Sequence, residues 1–126
     1  MLRGMERHNV LVVGAGKIGQ VVAELLAGSG DYAVTLADRD APAPPGAPGV
    51  DMQVLDISDE RSLRQALAGR WAVLSAAPFH LTARIAEAAR DAGVHYLDLT
   101  EDVASTRRIR ELAEGARSAL IPQCGL

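Results

Sequence analysis

The run Asn9-Val10-Leu11-Val12-Val13 breaks off at Gly14-Ala15-Gly16-Lys17-Ile18-Gly19, and no other stretch restricts the fold as tightly. The run is short, apolar and rich in β-branched residues, which reads as a strand buried on both faces. After the glycines, apolar side chains recur at Ile18, Val21, Val22, Leu25 and Leu26, the spacing of one helical stripe. Gly28-Ser29-Gly30 stops that helix after Ala27. The chain therefore opens with a buried strand, a tight glycine turn and an amphipathic helix.

The same rhythm continues to the end. Tyr32–Ala37 reads as a second strand, closed by Asp38. The stretch 41–49 holds four prolines and two glycines, which neither a helix nor a ladder tolerates, so a long surface loop is expected where a crossover helix would stand. Val50–Leu55 is a third strand, closed by Asp56. Ser58 is expected to cap a helix that runs to about Ala68 and stops at Gly69. Trp71–Ser75 is a fourth strand, and Pro78 opens a helix whose stripe Leu81, Ile85, Ala88 and Ala89 leads to Gly93. His95–Leu99 is a fifth strand, Val103–Ala116 a helix, and Ala119–Pro122 begins a sixth strand. Strand and helix alternate throughout, so an α/β fold of the Rossmann type is expected. It would be a doubly wound parallel sheet of about six strands in the order 3-2-1-4-5-6.

At 126 residues the chain makes one domain, short for a complete dehydrogenase. A net charge of −3 gives no electrostatic case for nucleic acid or an anionic membrane. The cluster Arg107, Arg108 and Arg110 is interleaved with Glu101, Asp102, Glu111 and Glu114 and reads as a solvated helix face. One cysteine, Cys124, allows no internal disulfide and reads as a small apolar residue. No stretch resembles a signal peptide or a membrane span, so the expected location is cytoplasmic.

Within its strand-to-helix context, Gly-x-Gly-x-x-Gly implies dinucleotide binding. Gly14 permits the tight turn, Gly16 lets the backbone approach a pyrophosphate, and Gly19 lets the helix lie close to the strand. The helix N-terminus, with Ala15, Lys17 and Ile18 around it, then meets the phosphates. Gln20 after Gly19 excludes an NTPase phosphate loop. Asp38 stands 19 residues past Gly19, where a carboxylate accepts hydrogen bonds from the adenosine ribose and repels a 2′-phosphate. NAD is the expected cofactor, with NADP admitted because Arg39 can hold a 2′-phosphate. Asp56 and Ile57 are placed to edge the adenine, with a turn or cap as the other reading of Asp56. Ala76, Ala77 and Pro78 let the backbone lie against the middle of the cofactor. His80 is a weak candidate for proton transfer near the nicotinamide. Asp98, Thr100 and Glu101 either face substrate or cap the next helix.

Val10–Gly19 with Asp38, then Leu55-Asp56-Ile57, Ser75-Ala76-Ala77-Pro78 and Gly93-Val94-His95-Tyr96-Leu97-Asp98-Leu99-Thr100-Glu101, resemble the N-terminal domain of the saccharopine dehydrogenase family. Lysine 6-dehydrogenase-like members are particularly similar, and the Tyr96–Glu101 stretch is the more specific part. The resemblance implies an oxidoreductase acting on an amino-acid-like amine, with substrate and catalytic groups largely in a second domain. This chain would then hold cofactor without turnover, with a homodimer as a possible assembly. A short-chain reductase is excluded, because Thr100 stands where Tyr96 would need a lysine four residues on. A free-standing nucleotide-sensing regulatory domain remains the alternative, and a cofactor-free structural domain a remoter one.

Overall fold

A computed structural model of the protein describes residues 7–14, 16–40 and 49–124. Ala15 and most of the proline-rich stretch, 41–48, lie outside the described residues. Six strands form one sheet: β1 (His8–Val13), β2 (Tyr32–Asp38), β3 (Val50–Val54), β4 (Ala72–Ser75), β5 (His95–Asp98) and β6 (Leu120–Ile121). Their order is β3-β2-β1-β4-β5-β6, and every pairing is parallel. Among the described residues, four helices lie between them: α1 (Lys17–Gly28), α2 (Glu60–Leu67), α3 (Phe79–Ala92) and α4 (Val103–Ala113). This is the expected doubly wound Rossmann-type topology.

Right-handed crossovers decide which face each helix covers. α1 packs Ala23, with Val22 and Leu26, on Val10, Val12, Val34 and Leu36. α2, α3 and α4 cover the opposite face, setting Leu63, Leu67, Ile85, Ile109 and Leu112 against Leu11, Val13, Val73 and Tyr96. The two faces of β1 therefore bury alternate side chains, and Leu11 and Val12 are both 0% exposed. Each such residue contributes roughly 1.5–3 kcal/mol through apolar burial. Arg70 reaches under the sheet, donating from Nη1 to Thr35 Oγ1 (2.9 Å) and from Nε to the Ala66 carbonyl (3.0 Å). Thr35, a buried polar residue, thereby has its partner. At the amino edge of the sheet, His8 stacks on Trp71 at 4.2 Å, and Trp71 meets Tyr32 and His95. His8 and His95 thus lie at the opposite end from the strand termini that matter below.

Several boundaries differ from those expected. Asp59, not Ser58, is the N-cap of α2, with its carboxylate accepting the amides of Arg61 and Ser62. Ser58 is occupied instead by Asp56, to which both its amide and its hydroxyl donate. α4 ends at Ala113 rather than Ala116, because Glu114 is extended and Gly115 has a φ of +72°. β6 is two residues long, within the expected Ala119–Pro122.

Gly19 fixes the seat of α1. A Cβ at Gly19 would stand 1.7 Å from the Gly14 carbonyl oxygen, so no side chain fits unless the helix lifts off the sheet. Gly28, in the last turn of the same helix, has nothing within 4 Å of that position. Gly19→Ala is therefore expected to cost about 3 kcal/mol or more through overpacking. Gly28→Ala is expected to add about 0.5–1 kcal/mol by restricting the unfolded chain. Urea unfolding midpoints of the two variants, measured against the parent, check the opposite signs.

Candidate functional site

Strand order reverses between β1 and β4, and the carboxyl ends of these strands open a crevice there. The turn after β1 is pinned from both sides. The Gly14 amide donates to the Ala37 carbonyl (2.8 Å), and the Ala76 amide donates to the Val13 carbonyl (2.8 Å). Gly14 has a φ of +104°, and a Cβ there would lie 2.8 Å from the Ala76 carbonyl. Only glycine lets β1 and β4 close at this point. Gly16 is different: it is the N-cap of α1, and its Cβ position has nothing within 4 Å. One glycine serves the crossing, and the other leaves open space at the end of a helix.

The four helices divide into two kinds. Asp59 caps α2 and Asp102 caps α4 through side-chain oxygens. α1 and α3 begin at Gly16 and Pro78 with no side-chain cap and no acidic residue in the first turn. These two flank the crevice. Leu81 of α3 turns its amide onto the Pro78 carbonyl (3.0 Å), but the leading amides of a helix have no carbonyl one turn back to meet, so the positive helix ends face the place where an anion would lie. Lys17 is exposed beside them.

On the β2 side, Asp38 ends its strand half-buried, with Oδ1 accepting the Arg39 amide (2.6 Å). Asp56, beyond β3, accepts the Ser58 hydroxyl (2.6 Å) and amide (3.0 Å). These bonds hold its carboxyl below the usual range, and the Arg39 charge adds a smaller pull in the same direction. Asp38, Arg39 and Asp56 thus form one polar patch across the ends of β2 and β3. Ile57 leaves it, for its side chain is 8% exposed and belongs to the core with Leu55 and Leu63.

On the β4 side lies a cleft of about 520 Å³. Ser75, Ala76 and Ala77 form its floor, Ile18 and Phe79 stand on the two helix ends, and Leu99–Asp102 form the far wall. Ile18 and Phe79 are 62% and 57% exposed, so apolar surface rims a largely backbone floor. The Ser75 hydroxyl is buried beside the Tyr96 phenol without completing a hydrogen bond. Pro78 sits at the rim as the N-cap of α3. His80 does not enter this cleft. One residue further around the helix than Phe79, it lines a groove between α2 and α3 with Glu60, Arg64 and Glu87. Partial burial is the main cause that pushes the Cys124 thiol up, which makes it a poor nucleophile. Sequence reasoning missed Phe79 as a wall, although an apolar residue at the first helical position after Pro78 was the available signal.

Residues 10–121 match the model of the saccharopine dehydrogenase NADP binding domain. The chain belongs to that family. Similar solved structures agree with the fold. Apo saccharopine dehydrogenase (L-Glu forming) from Saccharomyces cerevisiae superposes with a TM-score of 0.81 at 24% identity, covering 94% of this chain and 27% of that one. A Rossmann-fold NAD(P)-binding family protein from Shigella flexneri gives 0.70 at 22% identity, covering 91% and 66%. A mutant uronate dehydrogenase from Agrobacterium tumefaciens complexed with NAD gives 0.59 at 23%, covering 75% and 41%. This saccharopine dehydrogenase-type domain thus spans about a quarter of the length of the yeast enzyme. NAD(P) is the cofactor class of the family, and the uncapped helices, the open Gly16 and the cleft fit it. Among the described residues, no helix is long and apolar enough to cross a membrane, and no group of three or more His, Cys, Asp or Glu is placed to hold a metal ion.

Two carboxylates of the site region carry a pH dependence. Asp56 and Asp102 are both held below their ordinary values, chiefly by hydrogen bonds from Ser58 and Ser105 respectively. A group whose folded pKa is depressed contributes stability above its unfolded value, about 3.9, and loses it as pH falls through the folded value. Urea midpoints are therefore expected to fall modestly below about pH 4. In Asp102→Asn the drop is expected to be shallower over the same window.

Proposed function

We propose that this domain binds NAD in preference to NADP, in an oxidoreductase acting on an amino-acid-like amine. The observation that carries the cofactor choice is the patch at the ends of β2 and β3. Asp38 presents a carboxylate where the adenosine ribose of a bound dinucleotide would lie. The neighbouring Arg39 acts electrostatically on Asp56, so its charge is partly answered before any ligand arrives. A ribose diol gains hydrogen bonds from such a patch, whereas a 2′-phosphate meets two carboxylates. Around the crevice, the amides of α1 and α3 bind the pyrophosphate, and Ala76 and Ala77 let the backbone approach it. The wall from Leu99 to Asp102 and the apolar rim of Ile18 and Phe79 exclude water from the far half. The cofactor, when bound, supplies hydride transfer.

The family's own description supports the second reading, NADP, for which exposed Arg39 is the ready partner. The amine substrate follows from the kinship with saccharopine dehydrogenase rather than from any side chain in the cleft. His80 lines another groove, so no proton-transfer group of this domain faces the floor of the cleft from α3. These 126 residues by themselves are therefore proposed to bind cofactor without turnover.

Titration calorimetry with NAD and NADP tests the preference. NAD is expected to bind more tightly, and Asp38→Ala to raise its Kd about tenfold. Saturation at 100 times Kd is expected to stabilise the fold by about 2.7 kcal/mol, read as a rise in Tm. Tighter binding of NADP, or an unchanged Kd in the variant, would overturn the assignment of Asp38.

A further inference from the structure

A fully buried carboxylate takes no part in the contacts described so far. Asp98, the last residue of β5, is 0% exposed. Its Oδ2 accepts the Tyr96 phenol (2.6 Å), and its Oδ1 accepts the amides of Thr100 (3.0 Å) and Gln123 (3.0 Å). Its carbonyl accepts the Cys124 amide (2.7 Å). Four donors from two separate stretches, 96–100 and 123–124, thus converge on one residue. A carboxylate accepting several donors in a dry interior makes bonds about twice as strong as neutral ones. The Gln123 bond holds a non-glycine residue at a φ of +59°, a left-handed conformation that L side chains rarely adopt.

From Asp98 the bonding runs outward into the cleft wall. The Thr100 hydroxyl accepts the Asp102 amide (3.1 Å). Asp102 caps α4 through the Ser105 amide (2.8 Å), and the Ser105 hydroxyl donates to the Phe79 carbonyl (3.2 Å) at the start of α3. The relay Asp98, Thr100, Asp102, Ser105 and Phe79 therefore joins the end of β5 to both α4 and α3. It encloses the side of the cleft away from α1. Asp38 and the β2 end lie on the other side of β1, where the adenosine half would be.

We propose that Asp98 is a positioning residue for the nicotinamide half of the dinucleotide site, acting through the wall Leu99–Asp102 and not by contact with the ligand. The inference rests on the dinucleotide reading given above. It follows that disturbing Asp98 separates the two halves of the site. ADP lacks the part of the ligand that would meet the wall Leu99–Asp102, so it keeps its affinity, and the complete dinucleotide loses what that wall supplies. A merely structural aspartate would weaken both ligands in parallel.

The test is calorimetry with ADP and NAD at low temperature on the parent, Asp98→Asn and Tyr96→Phe, together with the emission of bound NADH. Asp98→Asn keeps the size of the side chain and removes its charge. Tyr96→Phe removes one donor from a residue outside the cleft, and it serves if Asp98→Asn does not fold. The expected result is a rise of about tenfold in the NAD Kd for Asp98→Asn and a smaller rise for Tyr96→Phe. The ADP Kd should stay within about twofold, and the enhancement of nicotinamide emission should fall. Equal losses for ADP and NAD, or no change in NAD binding, would overturn the positioning role while leaving the site intact. Failure of the parent to bind ADP, NAD or NADP would overturn the dinucleotide reading and the positioning role with it.

Discussion

The contact between the start of α1 and the turn beneath it sets where everything else can lie. The Gly14 carbonyl occupies the space that a Gly19 side chain would need, and Gly14 in turn lies against the Ala76 backbone. Three chain segments are thereby packed backbone to backbone at the one place where the winding of the sheet reverses. Interiors so tightly packed transmit displacement instead of absorbing it. The spacing of β1 and β4 and the height of α1 over them are consequently fixed together. So is the width of the crevice, which belongs to the fold and not to any mobile loop.

The alternation of strand and helix was legible because its causes are local. Short apolar runs and a helical period of about 3.6 survive in any tertiary setting that buries them, and right-handed crossovers then leave only a few strand orders. What was less legible depended on neighbours. Ser58 and Asp59 are both good caps. The choice fell on Asp59 because Asp56 takes both donors of Ser58 in a tight turn. Ile57 looked like the edge of a ligand site, yet α2 folds over it and draws it into the core. His80 and Phe79 differ by one helical position, about 100° of rotation. That is enough to send the phenyl ring to the cleft and the imidazole to another groove.

The candidate site was readable on the side built from contiguous sequence and opaque on the side assembled at long range. Gly14, Gly16 and Gly19 announce themselves by spacing, and Asp38 by its place at the end of a strand. The opposite wall depends on a bond between Asp98 and Gln123, 25 residues apart. Asp98 stood out in the sequence only as part of a short polar stretch that could face substrate or cap a helix. It does neither directly: Asp102 is the cap, and Asp98 holds the segment that carries it. Burial pushes the Tyr96 phenol far up, with the Asp98 carboxylate adding to the effect, so its proton stays in place as a donor across the physiological range.

The unequal capping of the helices bears on how a net-negative protein can hold a polyanion. At a net charge of −3 the molecule as a whole repels a pyrophosphate. Carboxylates finish the ends of α2 and α4 and are absent from the first turns of α1 and α3. Attraction therefore begins only within a turn's length of the crevice, where peptide dipoles outweigh the distant charges. Recognition of this kind releases few bound counterions, unlike binding by a field of lysines and arginines. The attraction of this domain for its ligand is therefore confined to close approach, and its rate of encounter gains nothing from long-range steering.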